Sequence, residues 1–97
     1  MKALAKDEVV NYVALHLKNW TYRETTIHRE FKFKTFVEAF SFMTAIALEA
    51  EKLDHHPDWS NVYNKVSIDL NTHSANGITK LDFDLAKKID IIYGNDR

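Results

Sequence analysis

The apolar spacing of this chain predicts an α+β two-layer domain, one four-stranded antiparallel sheet with helices packed on one face. Three observations carry that prediction. The spacing of apolar residues alternates between three-and-four and two along the chain, in the order α-β-β-α-β-β-α. The strand-like stretches come in adjacent pairs with short connections, which suits antiparallel hairpins rather than crossover-linked parallel strands. The chain has 97 residues, 45% of them hydrophobic and 12% aromatic, enough for one core and one domain over residues 1–97.

Residues 6–19 read as the first helix. Val10, Val13, Leu17 and Trp20 make one apolar stripe, and Asp7 and Glu8 fall in the first turn, where they favour the helix dipole. His16 lies within this helix as an ordinary surface residue. From Trp20 to Lys34 the period becomes two: Ile27, Arg29, Phe31 and Phe33 share one face, and His28, Glu30, Lys32 and Lys34 the other. Residues 20–23 are the hairpin partner, turning near Glu24-Thr25. His28, on the charged face, is expected to be solvated.

The longest helix runs from Thr35 to about Lys52, with Thr35 and Glu38 spaced as a capping box. Phe36, Ala39, Phe40, Met43, Ala47 and Ala50 form one apolar row, and Phe42, Ile46 and Leu53 a second beside it. This surface is wider than one sheet contact needs. This double row predicts a subunit contact through Phe40, Met43 and Ala47, giving a homodimer or homotetramer built on the 35–52 helix. Pro57 ends the helix and pushes His56 into extended geometry.

Trp59, Asn61 and Tyr63 alternate, as do Val66, Ile68 and Leu70, giving two further strands. A turn centred on Asn64-Lys65 places position 73 opposite position 56, and a slip of one or two residues still leaves His73 beside the 54–58 stretch. Asn76-Gly77 is a turn signal. Thr79 and Asp82 are spaced as an N-cap pair, opening a helix marked by Leu81, Leu85, Ala86, Ile89 and Ile92. It should end before Gly94, with the last residues fraying.

His55-His56-Pro57 and His73 are the candidate chemistry. Imidazole titrates near neutral pH and can give or take a proton there. Adjacent side chains on extended backbone point apart, so His55 and His56 need not share a role, whereas His73 can share a pocket with one of them. Trp59 or Tyr63 are candidates for an apolar wall. On residues alone, three alternatives stay open: an acid–base cluster, a capped helix end with solvated histidines, and a metal site with Asp54 or Asp58. The metal reading lacks a recognised ligand spacing. A Ser74-based triad lacks a nucleophile-elbow motif.

Other classes are disfavoured. The formal charge of −1, with both signs spread along the chain, offers no bulk attraction for nucleic acid or anionic membrane. There are no cysteines, so disulfides and thiolate chemistry are excluded. Two glycines, both late, leave no glycine-rich phosphate loop. No apolar run spans a bilayer and nothing reads as a signal peptide, so a cytoplasmic protein is expected.

Residues 51–59 (EKLDHHPDW), 61–66 (NVYNKV), 72–74 (THS) and 77–82 (GITKLD), with 40–44 (FSFMT) on the long helix, resemble the pterin-4a-carbinolamine dehydratase family. The similarity covers most of the chain from Trp20 onward. It implies the inferred fold, no metal or other cofactor, and dehydration of 4a-hydroxytetrahydropterin to quinonoid dihydropterin, which regenerates the cofactor of aromatic amino-acid hydroxylases. It implies His55 and His73 as acids serving the two faces of the pterin, and His56 as a substrate-binding residue and candidate base. Asp54, Asn71, Thr72 and Ser74 match positions lining the family's pocket, with glutamate at the Ser74 position in some members. It also implies dimers or tetramers through the long helix. Some members of that family act as dimerisation cofactors for a homeodomain transcription factor, so a non-catalytic binding module is the alternative reading.

Overall fold

Two hairpins lie side by side and join through their second strands to make the sheet. In the computed structural model, which describes residues 1–94, the elements are α1 (Lys6–His16), β1 (Thr21–Arg23), β2 (Thr26–Lys32), α2 (Phe36–Leu53), β3 (Asp58–Val62), β4 (Lys65–Leu70), a 3-10 turn at His73–Ala75, and α3 (Lys80–Tyr93). The strand order is β1-β2-β4-β3 and every neighbouring pair is antiparallel. The expected α+β order is therefore the observed one. The fraying expected after Gly94 falls on residues 95–97, outside the described residues.

Inward-facing side chains of the strands, Ile27 and Phe31 from β2 and Val66, Ile68 and Leu70 from β4, meet Ala39, Phe42, Ile46 and Ala50 of α2 and Leu85, Ala86 and Ile89 of α3. From α1 the buried residues are Val9 and Val13, with Leu17 and Trp20 following; Val10 is exposed, because the helix presents the Val9–Val13–Leu17 row to the core and ends at His16. Phe83 stacks flat on Tyr12 with centroids 3.9 Å apart, tying α3 to α1.

Arg29 sits on the core face of β2 because it finds a counter-charge there. Its guanidinium donates to Asp90 Oδ1 at 2.6 Å and lies 4.5 Å from the Phe31 ring centroid. The Trp20 indole N–H donates to the same carboxylate at 2.9 Å. Burial raises the Asp90 carboxyl above its ordinary value, against the opposing pull of Trp20 and Arg29.

The first hairpin turns at Glu24-Thr25, as the sequence predicts, with Arg23 paired to Thr26 and Glu24 at φ 51°. The second turns one residue earlier than predicted. Val62 pairs with Lys65 and Asp58 with Asp69, so the turn is centred on Tyr63-Asn64 and the register shifts by two. Side chains set that turn: Asn61 Nδ2 donates to the carbonyls of Tyr63 and Lys65 at 3.1 and 2.8 Å, and Asn64 Nδ2 to that of Phe33 at 2.8 Å. Tyr63 is 62% exposed there, at the end of β3 remote from His55, which removes it as a wall of any pocket at the histidines.

His28 is not solvated as expected; its side chain is 11% exposed. Its cross-strand neighbour Asp69 holds Nδ1 at 3.1 Å, and Glu30 lies 3.6 Å from Nε2.

On α2 the two predicted rows are divided differently. Ala39, Phe42, Ile46 and Ala50 are buried, and Met43 and Leu53 pack against that core. Phe36, Val37, Phe40 and Leu48 are exposed. The helical period places Met43 with the inner row, so the outward face runs through Phe36, Phe40 and Ala47 instead. Thr35 caps the helix, its Oγ1 accepting from the Glu38 N–H at 3.1 Å, while the Glu38 carboxylate turns back to the Lys34 N–H at 3.4 Å.

Candidate active site

The C-terminus of α2 delivers the first two histidines. Asp54 takes left-handed geometry (φ 50°, ψ 43°) and its N–H bonds back to the last turn; the His55 N–H donates to Ala50 O at 3.1 Å. Aspartate is among the few non-glycine residues that visit this region readily. The reversal turns His55 inward, where it is buried, and leaves His56 outside.

His55 Nε2 lies 2.6 Å from Asp82 Oδ1, and Asp82 is fully buried. The other carboxylate oxygen accepts from Thr72 Oγ1 at 2.8 Å and from the Thr79 N–H at 2.9 Å. Thr72 and Thr79 hydroxyls are 2.7 Å apart, and Thr79 Oγ1 also accepts from the Leu81 N–H at 3.3 Å. Each hydroxyl has one proton, so the direction is fixed: Thr79 donates to Thr72, and Thr72 to Asp82. An acceptor-only carboxylate then receives the His55 Nε2–H. Among the described residues every fully covered side-chain nitrogen or oxygen has a partner, and His55 Nδ1 has none, so Nδ1 is the outward side of the ring. A buried carboxylate behind an imidazole fixes its tautomer and orientation.

Thr72 ends the chain's run out of β4. Its N–H donates to Gly77 O at 2.8 Å, Asn76 closes the turn at φ 53°, and the Asn76 N–H donates to His73 O at 3.0 Å. His73 opens this turn and is exposed, one residue from the Thr72 that shares Asp82 with His55. His56 Nε2 pairs with Glu51 Oε1 at 2.7 Å in an exposed contact. Asp54 and Ser74 are exposed and Asn71 half-buried, and none makes a side-chain hydrogen bond among the described residues. Ser74 thus has no histidine partner there, and no three His, Cys, Asp or Glu side chains converge to hold a metal ion among those residues.

The sequence reading missed Asp82 as part of the site. Its spacing from Thr79 reads as a helix cap, and it does cap: Thr79 N–H bonds its carboxylate. The second bond, to His55 across 27 positions of chain, has no local signal.

A family model described as pterin 4 alpha carbinolamine dehydratase matches residues 2–92. The chain belongs to the pterin carbinolamine dehydratase family. A Mesorhizobium japonicum protein bearing the pterin-4-alpha-carbinolamine dehydratase name is 50% identical over 93 residues, covering 94% of each chain. A Prochlorococcus marinus relative of the same name is 48% identical over 90 residues, 93% of this chain and 94% of its own. A crystal structure from Brucella melitensis, titled a transcriptional coactivator/pterin dehydratase, superposes with a TM-score of 0.89 at 46% identity, over 96% of this chain and 100% of that one. A pterin dehydratase-like RuBisCO assembly factor of the alpha-carboxysome shares the fold alone, at 18% identity and TM-score 0.65 over 79% of this chain and 89% of that one. The family and the names of its relatives support a pterin carbinolamine dehydratase, and no helix among the described residues is long and apolar enough to cross a membrane.

Proposed function

We propose that this family member dehydrates 4a-hydroxytetrahydropterin to quinonoid dihydropterin by histidine acid–base chemistry, in recycling of a tetrahydrobiopterin-type cofactor. The observation that supports it is the buried Asp82 carboxylate holding both His55 and Thr72, the neighbour of His73. Hydroxide is a poor leaving group. An imidazolium gives its proton to the departing oxygen as the carbon–oxygen bond breaks, water leaves, and a base takes the ring-nitrogen proton as the carbon–nitrogen double bond forms. His55 serves one pterin face through Nδ1, His73 the other, and His56 binds substrate and is the candidate base. Asp54, Asn71, Thr72 and Ser74 line the pocket. Purified protein should turn over 4a-hydroxytetrahydropterin equally with and without a chelator; loss of activity restored specifically by zinc would sink the metal-free mechanism.

The exposed apolar face of α2 supports a second role as an assembly surface. Phe36, Val37 and Phe40 stand out from the helix with Ser41 and Thr44, forming a shallow apolar hollow. The Brucella relative carries a coactivator title. We read this face as the contact of a homodimer or homotetramer. Phe40→Glu costs an isolated subunit little, since the site is exposed, but buries an unpaired charge in an oligomer. Sedimentation should show the wild-type protein as an oligomer and the variant split; a monomeric wild type refutes the contact. Pterin turnover discriminates enzyme from module, because a protein that binds a partner without turnover is a module only.

A further inference from the structure

The segment before α1 reaches the His73 turn. The Leu4 N–H donates to Ile78 O at 2.8 Å, and the Leu4 side chain packs on the core. One residue earlier, the Ala3 methyl lies against Gly77, whose carbonyl receives the Thr72 N–H and closes the His73–Asn76 turn. Gly77 is buried, and a Cβ built on it would stand 2.9 Å from Ala3 Cβ. Its φ is not in the left-handed region, where Gly94 is the glycine among the described residues. The backbone conformation at 77 is thus open to any residue. What demands glycine there is the close approach of Ala3.

We propose that Ala3 and Leu4 form a strap that positions the His73 turn, with Gly77 as the positioning residue that lets the strap seat. This rests on the reading of His73 as an acid for one pterin face. The strap is held on one side by the Leu4–Ile78 bond and by Leu4 in the core. On the other, Gly77 and Thr72 bracket His73. A displaced strap therefore moves the exposed imidazole, whereas His55 keeps its own direct bond to the fully buried Asp82 carboxylate.

Gly77→Ala tests this directly. Neither methyl is the far end of a flexible chain, so the strap and the turn must part by about half an ångström to reach ordinary contact. Misplacements of that size cost on the order of tenfold in turnover. Each 4a-epimer of 4a-hydroxytetrahydropterin would be assayed separately for kcat and KM, with His73→Ala as the reference. Gly77→Ala should lower kcat on the epimer that His73→Ala loses, and spare the other. The double variant Ala3→Gly/Gly77→Ala removes the opposing methyl and should regain most of the loss. Should Gly77→Ala fail to fold, Leu4→Ala loosens the strap without a clash and should give the same epimer bias. Equal losses on both epimers, wild-type kinetics in Gly77→Ala, or no rescue by Ala3→Gly would each overturn the strap while His73→Ala remained impaired. If His73→Ala itself kept both activities, the acid assignment would fall, and the strap's catalytic role with it.

Discussion

His73→Ala should lower turnover on the order of 10²–10⁴-fold, the span usual for a positioned proton donor, while leaving the thermal midpoint nearly unchanged. The side chain is exposed and makes no hydrogen bond among the described residues, so its removal takes little packing with it. With a mixture of substrate epimers the loss shrinks, because His55 still serves the other face. Steady-state kinetics beside a melting curve separate the two effects. A variant that melts much lower yet keeps its turnover would show that this histidine is structural.

Asp82→Asn should damage both activity and stability. The carboxylate accepts from Thr72, from the Thr79 N–H and from His55, and it is fully buried. An amide keeps one acceptor oxygen for the threonine side. Its NH₂ then faces His55 Nε2 and forces that nitrogen to accept, leaving the only ring proton on Nδ1. A doubly protonated ring would set N–H against N–H, so His55 could no longer act as an imidazolium acid. A wrong tautomer of this kind in a histidine–carboxylate pair is costly, and we expect a loss on the order of 10²–10⁴-fold on the epimer His55 serves. Losing charge-assisted bonds in a buried site should also cost about 2–3 kcal/mol of stability, read from denaturant midpoints. Unchanged turnover in Asp82→Asn would separate the buried network from the chemistry.

What could be read without coordinates was local. The α2 cap at Thr35, the hairpin turn at Glu24-Thr25 and the inward faces of β2 and β4 follow from period and from side-chain chemistry a few positions apart. The clustering of histidines at the helix end was legible too, because Pro57 marks that end. Pairing by long-range contact was not. The β3–β4 register depends on Asn61 and Asn64 reaching backbone carbonyls, one of them at Phe33 just past the end of β2. His28 looked solvated by its face, yet its cover comes from Asp69, 41 positions away. The role of Asp82 was masked because the same carboxylate also satisfies a local cap.

Two of the carboxylates of α3, those of Asp82 and Asp90, bear on how the molecule moves. Asp82 near one end is tied to the α2 terminus and to Thr72; Asp90 near the other is tied to Trp20 and to Arg29 of β2. They are about 12 Å apart along the axis at 1.5 Å per residue. A helix stapled so to separate parts of the fold opens only with them, in one cooperative unit. Among the three histidines, native-state breathing is then expected outside that unit, at the exposed side chains of His56 and His73. The imidazole of His55, anchored on Asp82, should be released only when that unit opens, whereas those of His56 and His73, both exposed, should change rotamer on a far faster timescale.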